Sequence, residues 1–303
     1  MLQLVIGLLV YHNMMLPGFS NEKWQIVRND SVRIYYSDGY ENMAKKLLIK
    51  STEILSEFSQ VLGIPYEGEV FVFLVSNEET WNELTKDTIP KWSGGVTKSQ
   101  KGITYLRIYR NPQQILPILR HELMHLILGK NFRPNIIPRW FEEGLATLCS
   151  NQDNSGFSLV LSMANLSNSL IPLAEIEDVL NFKKAKADLA YAQSYVGVKL
   201  IVDSIGWEAI RKILGNGLQS KQWDEAFYSV LEMDEEAYEL YFLEFIETHY
   251  RWNFLYQSDY VIWILIPISV VFIYLIIRLR NFRTYKKWSA EEELTKNNLE
   301  FDE

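Results

Sequence analysis

Two short motifs indicate the class of this protein, HELMH at residues 121–125 and WFEEGLA at residues 140–146. The first motif lies within a predicted helix, Gln113–Leu128. Positions four apart share one face of a helix, so His121 and His125 can reach the same metal ion. Glu122 projects beside them and can take a proton from an attacking water. A pair of structural histidines at helical spacing is the alternative interpretation.

A zinc site of this kind needs three protein ligands and leaves a fourth position open for water. The two histidines leave one ligand missing, and a second predicted helix, Pro138–Cys149, carries two candidate carboxylates. Glu143 lies 18 positions after His125, which is enough chain for a loop and a returning helix. Adjacent helical residues point about 100° apart, so Glu142 and Glu143 do not bind one ion together. Gly144 is expected to let the two helices approach closely.

These two motifs together resemble the gluzincin metallopeptidases, specifically their peptidase MA-like domains. In that pattern the third ligand is the Glu directly before Gly in a WxxEGxA-like stretch, and Glu143 occupies this position. The resemblance therefore implies a Zn²⁺ ion held by His121, His125 and Glu143, with Glu122 as the general base. It covers roughly residues 30–250 in the order of elements and is specific over 121–146.

The same resemblance implies two further roles. Gluzincins use a Tyr or His donor to stabilise the tetrahedral oxyanion, and Tyr191 and Tyr195 on the predicted helix Asp188–Ile205 are the candidates. A packed core tyrosine is the alternative for each of them. An edge strand beside the active helix pairs with an extended peptide substrate in these enzymes, and Ile103–Ile108 is expected to be that strand. An ordinary sheet strand is the alternative.

Short strands and helices alternate before the first motif, whereas the pattern after Asn111 is helical almost throughout. The predicted class is α+β, with a small N-terminal α/β sheet over 21–110 and a mostly helical, zincin-like lobe over 111–250. A single C-terminal transmembrane helix completes the predicted architecture. The predicted elements before the motif are strands at Trp24–Val27, Val32–Ser37, Glu69–Val75 and Ile103–Ile108, helices at Asn42–Leu62 and Glu78–Leu84, and a loop at Pro90–Gly102.

A charge-free apolar run near the C-terminus predicts a membrane span. Residues 261–277 read VIWILIPISVVFIYLII, and Tyr260 extends the run. A bilayer core needs roughly 20 apolar residues, so 260–277 is predicted to be a transmembrane helix. Because basic residues concentrate on the cytoplasmic side, the tail 278–303 is predicted to be cytoplasmic and residues 21–259 extracytoplasmic. The basic residues after the run are Arg278, Arg280, Arg283, Lys286 and Lys287.

The predicted orientation requires an export signal at the N-terminus. Residues 2–11, LQLVIGLLVY, form a signal-like apolar stretch, and Gly18-Phe19-Ser20 offers small residues for cleavage. The basic n-region of a signal is missing, since Lys and Arg are absent before Lys23. Despite this departure, the apolar stretch and the small residues after it predict a signal segment over residues 1–20, with a buried N-terminal strand as the alternative.

The composition narrows the classes of function. The chain carries 38 acidic and 30 basic residues, a net charge of −8 at pH 7, so it lacks the basic footprint of a nucleic-acid-binding protein. The single cysteine, Cys149, excludes an intramolecular disulfide framework and a cysteine-rich zinc module.

Taken together, the two motifs and the apolar run predict a single-pass zinc peptidase of the cell membrane that acts on peptides or proteins. The alternative is a catalytically inactive peptidase-like domain that binds metal or peptide. The sequence carries no signal for an oligomeric state.

Overall fold

The computed structural model describes residues 23–86, 89–109, 112–134, 136–220, 222–251 and 259–300. These residues form two compact units, one that ends at Arg251 and one that holds the C-terminal helix. The predicted signal segment, 1–20, lies outside the described residues.

The first unit begins with a mixed sheet in which the three central strands run parallel. The strands are β1 (Gln25–Arg28), β2 (Val32–Tyr36), β3 (Val70–Val75), β4 (Gly95–Lys98) and β5 (Ile103–Arg107). Their order in the sheet is β1-β2-β3-β5-β4, with β1 and β4 antiparallel to their neighbours.

The two faces of the sheet are covered by different helices. Side chains alternate along β3, so Val72 and Leu74 enter the main core while Phe73 joins a smaller cluster around Trp81. Helices α1 (Glu41–Leu62) and α3 (Ile115–Asn131) pack on the main-core face, and α2 (Glu78–Thr85) covers the other. The sheet thus provides a rigid support for α3, the helix that carries the HELMH motif.

Strand β4 was not predicted, because the stretch Pro90–Gly102 was expected to be a loop. It contains β4 and a short 3-10 helix, Ser99–Lys101. The strand has only four residues and starts with glycine, so local β propensity is weak and pairing with β5 and packing on α3 stabilise it. Since β5 lies between β3 and β4, the expectation that Ile103–Ile108 is the edge strand is wrong, and β4 is the edge on this side.

The rest of the first unit is the expected helical lobe, and the predicted α+β class is confirmed. Several boundaries differ from prediction. Helix α3 runs over Ile115–Asn131 rather than Gln113–Leu128, α4 begins at Arg139 rather than Pro138, and the helix predicted to begin at Asp188 begins at Lys184. The elements after α3 are α4 (Arg139–Cys149), α5 (Phe157–Leu166), a 3-10 helix (Leu173–Asn181), α6 (Lys184–Ile205), α7 (Trp207–Ser220), α8 (Trp223–Leu231) and α9 (Glu235–Tyr250).

A buried arginine fixes α3 against both α1 and α4. The guanidinium of Arg120 donates through Nη1 and Nη2 to the two carboxylate oxygens of Glu57, at 2.9 and 2.6 Å. Its Nε donates to the backbone oxygen of Cys149, the last residue of α4, at 2.8 Å. Arg120 on α3 meets the end of α4, whereas His125, five residues later on α3, meets Glu142 near the start of α4. Helices α3 and α4 therefore run antiparallel.

Gly144 provides a close helix contact, but with a different helix from the one expected. A Cβ atom at this position would clash with the backbone oxygen of Ser194 and with the side chain of Val198, both on α6. The expectation that Gly144 brings α4 close to α3 is therefore wrong. Its missing side chain lets α4 pack on α6, where Tyr191 and Tyr195 also lie.

The described residues of the second unit form one long helix, α10 (Asp259–Glu300), of 42 residues. Its stretch Leu265–Glu291 includes a window with a mean hydropathy of 1.8, long and apolar enough by length and composition to cross a membrane. This helix overlaps the predicted span 260–277 and continues through the basic residues that follow it.

The contact at Gly144 generates a test of packing. We expect Gly144→Ala to destabilise the full-length chain by about 1–3 kcal/mol, because an added methyl group overpacks the α4–α6 contact. Gly215→Ala is the matched control, since a methyl group added to this helical glycine would meet no atom within 4 Å. It should leave stability unchanged or raise it by up to about 1 kcal/mol. Urea denaturation measures both, and equal effects of the two changes would contradict the packing role.

Candidate active site

Three potential metal-ligating atoms converge where α3 meets α4. The Nε2 atoms of His121 and His125 are 3.0 Å apart, as expected for two histidines one turn apart on a helix. Oε2 of Glu143 on α4 is 3.2 Å from Nε2 of His121 and 3.3 Å from Nε2 of His125. The three atoms form a nearly equilateral triangle.

The dimensions of this triangle fit a zinc ion. Ligand atoms about 2.0–2.1 Å from a tetrahedral zinc ion lie roughly 3.3–3.4 Å from one another. Glu143 is only 1% exposed, and within the described residues its Oε2 atom receives no hydrogen bond. A buried carboxylate oxygen without a hydrogen-bond donor is costly unless a cation approaches it, so the donor set and its geometry are compatible with zinc.

The electrostatic field at the triangle favours a positive charge. Burial raises the pKa of Glu143, but Arg139 and His125 outweigh this effect and hold that pKa well below its ordinary value. Burial lowers the pKa of His125, yet the carboxylates of Glu143 and Glu142 raise it above its ordinary value. An ionised Glu143 is one condition for binding a metal cation, and the negative potential at His125 attracts a proton and a metal cation alike.

Glu142 lies outside the triangle and contacts His125 from behind. Its Oε1 is 2.8 Å from Nδ1 of His125, the ring nitrogen that faces away from Glu143. A metal-ligating histidine generally donates its second N–H to such a carboxylate, which fixes the tautomer and orients the ring. Of the two carboxylates left open by helical spacing, the geometry thus favours Glu143 as the ligand.

Arg139, which sequence reasoning missed, contacts both carboxylates. Its Nη1 donates to Oε2 of Glu142 at 3.0 Å, and its Nη2 forms an ion pair with Oε1 of Glu143 at 2.6 Å. Arg139 lies three and four positions before the two glutamates, a helical spacing that could have revealed the pairing.

The carboxylate of Glu122 is held by the edge strand. Thr97 on β4 donates its hydroxyl proton toward Glu122, with Oγ1 2.7 Å from Oε2 and 3.1 Å from the backbone oxygen. A Cβ atom at Gly95 would lie 2.7 Å from Cγ of Glu122, so only glycine lets β4 approach this closely. Neither residue was predicted, because both lie in the segment interpreted as a loop.

The two candidate tyrosines have different surroundings. The ring of Tyr191 lies 6.1 Å from that of His121 and 6.0 Å from that of Trp92. Burial raises the pKa of Tyr191 well above its ordinary value, and the charges of Glu143 and Glu122 raise it further, so its phenol keeps its proton. Tyr195 lies one turn later and packs against Phe157, with ring centroids 5.5 Å apart. The structure thus brings Tyr191, and not Tyr195, to the histidines.

A family model described as the peptidase MA superfamily matches residues 70–248, more than half of the chain. Similar solved structures include a mutant M1 zinc metallopeptidase from Deinococcus radiodurans bound to a Tyr-Ser-Ala substrate, with 15% identity and a TM-score of 0.46. The match covers 74% of this chain and 51% of that one. An M1 zinc metallopeptidase from the same organism has 16% identity and a TM-score of 0.41, over 73% of this chain and 49% of that one.

This chain therefore spans about half the length of those metallopeptidases. A comparison with curated proteins gives no match.

The triangle generates a prediction about metal content. We expect the purified full-length chain in detergent to retain one zinc ion per chain, and Glu143→Ala to lose it on dialysis, because two histidines alone make an incomplete site. Mass spectrometric metal analysis measures both. Glu53→Ala, at an exposed position on α1, is the control and should keep the ion. Full retention of zinc by Glu143→Ala would move the third ligand elsewhere, first to Glu142.

Proposed function

Because the chain belongs to the peptidase MA superfamily, we propose that it is an active zinc-dependent peptidase. His121, His125 and Glu143 would hold the ion, and Glu122 would act as the general base. The observation that carries this proposal is the triangle of two Nε2 atoms and one carboxylate oxygen, with Glu122 on the same helical turn as the two histidines.

A bound zinc ion would supply Lewis acidity, which polarises the scissile carbonyl and lowers the pKa of water. Glu122 would accept the proton of the attacking water and pass it to the leaving amine. The hydroxyl of Thr97 supports this role, because it bonds to Oε2 of Glu122 and leaves Oε1 to accept the proton. Tyr191 would donate a hydrogen bond to the oxyanion of the substrate, since its phenol is protonated and lies beside His121.

The position of β4 supports a peptide or protein as the substrate. This strand is the edge of the sheet next to α3, and Thr97 on it contacts Glu122 directly. An extended peptide could pair its backbone with the outer side of β4 and so bring a peptide bond to the catalytic residues. Backbone pairing tolerates many side chains, so we propose broad sequence tolerance with cleavage inside extended segments.

The C-terminal helix supports anchoring to a membrane. The apolar run 261–277 would span the bilayer once, and the basic residues of 278–287 would hold the tail 278–303 on the cytoplasmic side. We therefore place the domain formed by residues 21–259 outside the cytoplasm, where it would meet extracytoplasmic peptides and proteins.

The general-base assignment predicts that Glu122→Gln keeps zinc but loses hydrolysis. The amide has the same shape but cannot accept the proton, so we expect kcat to fall by about 10²–10⁴-fold. Cleavage of a peptide library by the full-length chain in detergent, together with zinc analysis, measures both properties. Equal cleavage by the variant and the parent would contradict the mechanism. Intact zinc binding without cleavage by either chain would support the inactive, metal-binding alternative instead.

The two tyrosines offer a matched comparison of the oxyanion donor. We expect Tyr191→Phe to lower kcat by about 10²–10³-fold with little change in KM, as for the loss of one oxyanion donor. Tyr195→Phe, one turn further from the histidines, should retain kcat to within a few-fold. Steady-state kinetics on one peptide substrate decides between them. The reverse ranking of the two variants would assign the donor role to Tyr195.

The proposed orientation is tested on intact cells. Added protease should digest the domain of residues 21–259 while an epitope on the tail 278–303 stays protected until the membrane is permeabilised. A cytoplasmic marker protein provides the control for cell integrity. Protection of the domain in intact cells would establish the opposite orientation, and the extracytoplasmic substrate assignment would fail with it.

A further inference from the structure

The guanidinium of Arg139 divides its two terminal nitrogens between Glu142 and Glu143. Each carboxylate contacts Arg139 through one oxygen and a histidine of the site through the other. For Glu143 that second oxygen is Oε2, a corner of the triangle, and for Glu142 it is Oε1, which contacts Nδ1 of His125. Arg139 thus contacts one of the three candidate ligands, Glu143, directly, and it is linked to a second, His125, through Glu142.

We propose that Arg139 is a positioning residue that orients the carboxylate of Glu143 directly and the ring of His125 through Glu142. This inference rests on the proposed function, since it concerns the same zinc site. It assigns to Arg139 and Glu142 a role in shaping the site, without contact to the substrate.

The geometry of each contact explains how the positioning would work. A free carboxylate can bind a cation through both oxygens, but Arg139 occupies Oε1 of Glu143 and leaves Oε2 for the ion. The bond from Glu142 to Nδ1 of His125 keeps the proton on that nitrogen and leaves Nε2 free as a ligand. A planar guanidinium can hold two carboxylates at once, whereas a lysine ammonium is a single point of charge.

Arg139 is itself fixed within the fold. It is the first residue of α4, and its backbone N–H donates to Oε1 of Glu177 at 2.6 Å. Pro138, the residue before it, has no side chain that could accept a hydrogen bond from the first turn. Glu177 from the 3-10 helix accepts this backbone N–H bond instead. The side chain of Arg139 is 25% exposed and is therefore largely confined between its two partners.

A purely electrostatic role for Arg139 predicts the opposite effect on zinc binding. A guanidinium close to a divalent cation repels it, so removing the positive charge would strengthen zinc binding if charge alone mattered. Loss of the positioning contacts would weaken zinc binding instead. The sign of the change in zinc affinity therefore distinguishes the two roles.

The first experiment measures zinc affinity by competition with a chromophoric chelator, using the full-length chain in detergent. We expect Arg139→Gln to weaken zinc binding by about 10–100-fold, the usual effect of losing a residue that orients a ligand. Arg139→Lys should weaken it to a similar extent, because an ammonium lacks the rigid planar fork that places one nitrogen on each carboxylate. Glu142→Gln should also weaken it by roughly tenfold or more. Unchanged or tighter binding by Arg139→Gln, or parental affinity in Arg139→Lys, would overturn the proposal.

The second experiment separates positioning from a general loss of stability. In the chain loaded with Co²⁺ instead of zinc, visible absorption reports the number of ligands. Arg139→Gln should weaken these bands, because both oxygens of Glu143 become free to bind the ion. Arg120→Gln is the matched control, a buried arginine that contacts Glu57 and the backbone of Cys149 but no side chain of the site. It should lower the melting temperature while leaving zinc affinity within about twofold and the spectrum unchanged.

An equal spectral change in Arg120→Gln and Arg139→Gln would overturn the positioning role, because the effect would then be structural. A parent chain that binds no zinc would overturn the proposed function and this inference together. A parent chain that binds zinc while Arg139→Gln shows parental affinity and a parental spectrum would overturn this inference alone.

Discussion

The geometry of the site is constrained by the burial of one carboxylate, that of Glu143, between two helices. An isolated buried carboxylate is strongly destabilising unless positive charge or hydrogen-bond donors compensate it. Here Arg139 supplies one compensating charge, and the Nε2 atoms of His121 and His125 supply two positions where a cation can be shared with Oε2. The negative charge of the Glu143 carboxylate is therefore compensated by Arg139 at one oxygen, and a cation between the two histidines would compensate it at the other.

This constraint explains why the helices around the site are tied together so firmly. Arg120 fixes α3 to α1 and to the end of α4, and Gly144 lets α4 lie directly on α6. The sheet supports α3 from the other side, where Gly95 and Thr97 bring the edge strand against Glu122. These contacts surround ligand atoms that are only 3.0–3.3 Å apart.

The sequence predicted the helical lobe and the α+β class from strong periodicity. The choice of Glu143 as the carboxylate near the two histidines came from the resemblance to the gluzincin pattern, since helical spacing alone left Glu142 open as well. The sequence did not predict β4, since a four-residue strand that begins with glycine depends on its neighbours for stability. The role of Thr97 was missed for the same reason. The contact of Glu142 with His125 joins residues on different helices, so no spacing along the chain encodes it. The tertiary contacts of Gly144 and of the 103–108 segment were likewise assigned to wrong partners.

The central claim is that two histidines and one glutamate from adjacent helices hold a single zinc ion. The most direct measurement is a crystal structure of the full-length chain with anomalous diffraction data at the zinc absorption edge. We expect one anomalous peak, bonded to Nε2 of His121, Nε2 of His125 and Oε2 of Glu143, with Glu142 still bonded to His125. A peak at any other place, or an ion bound through Glu142 in place of Glu143, would contradict this claim.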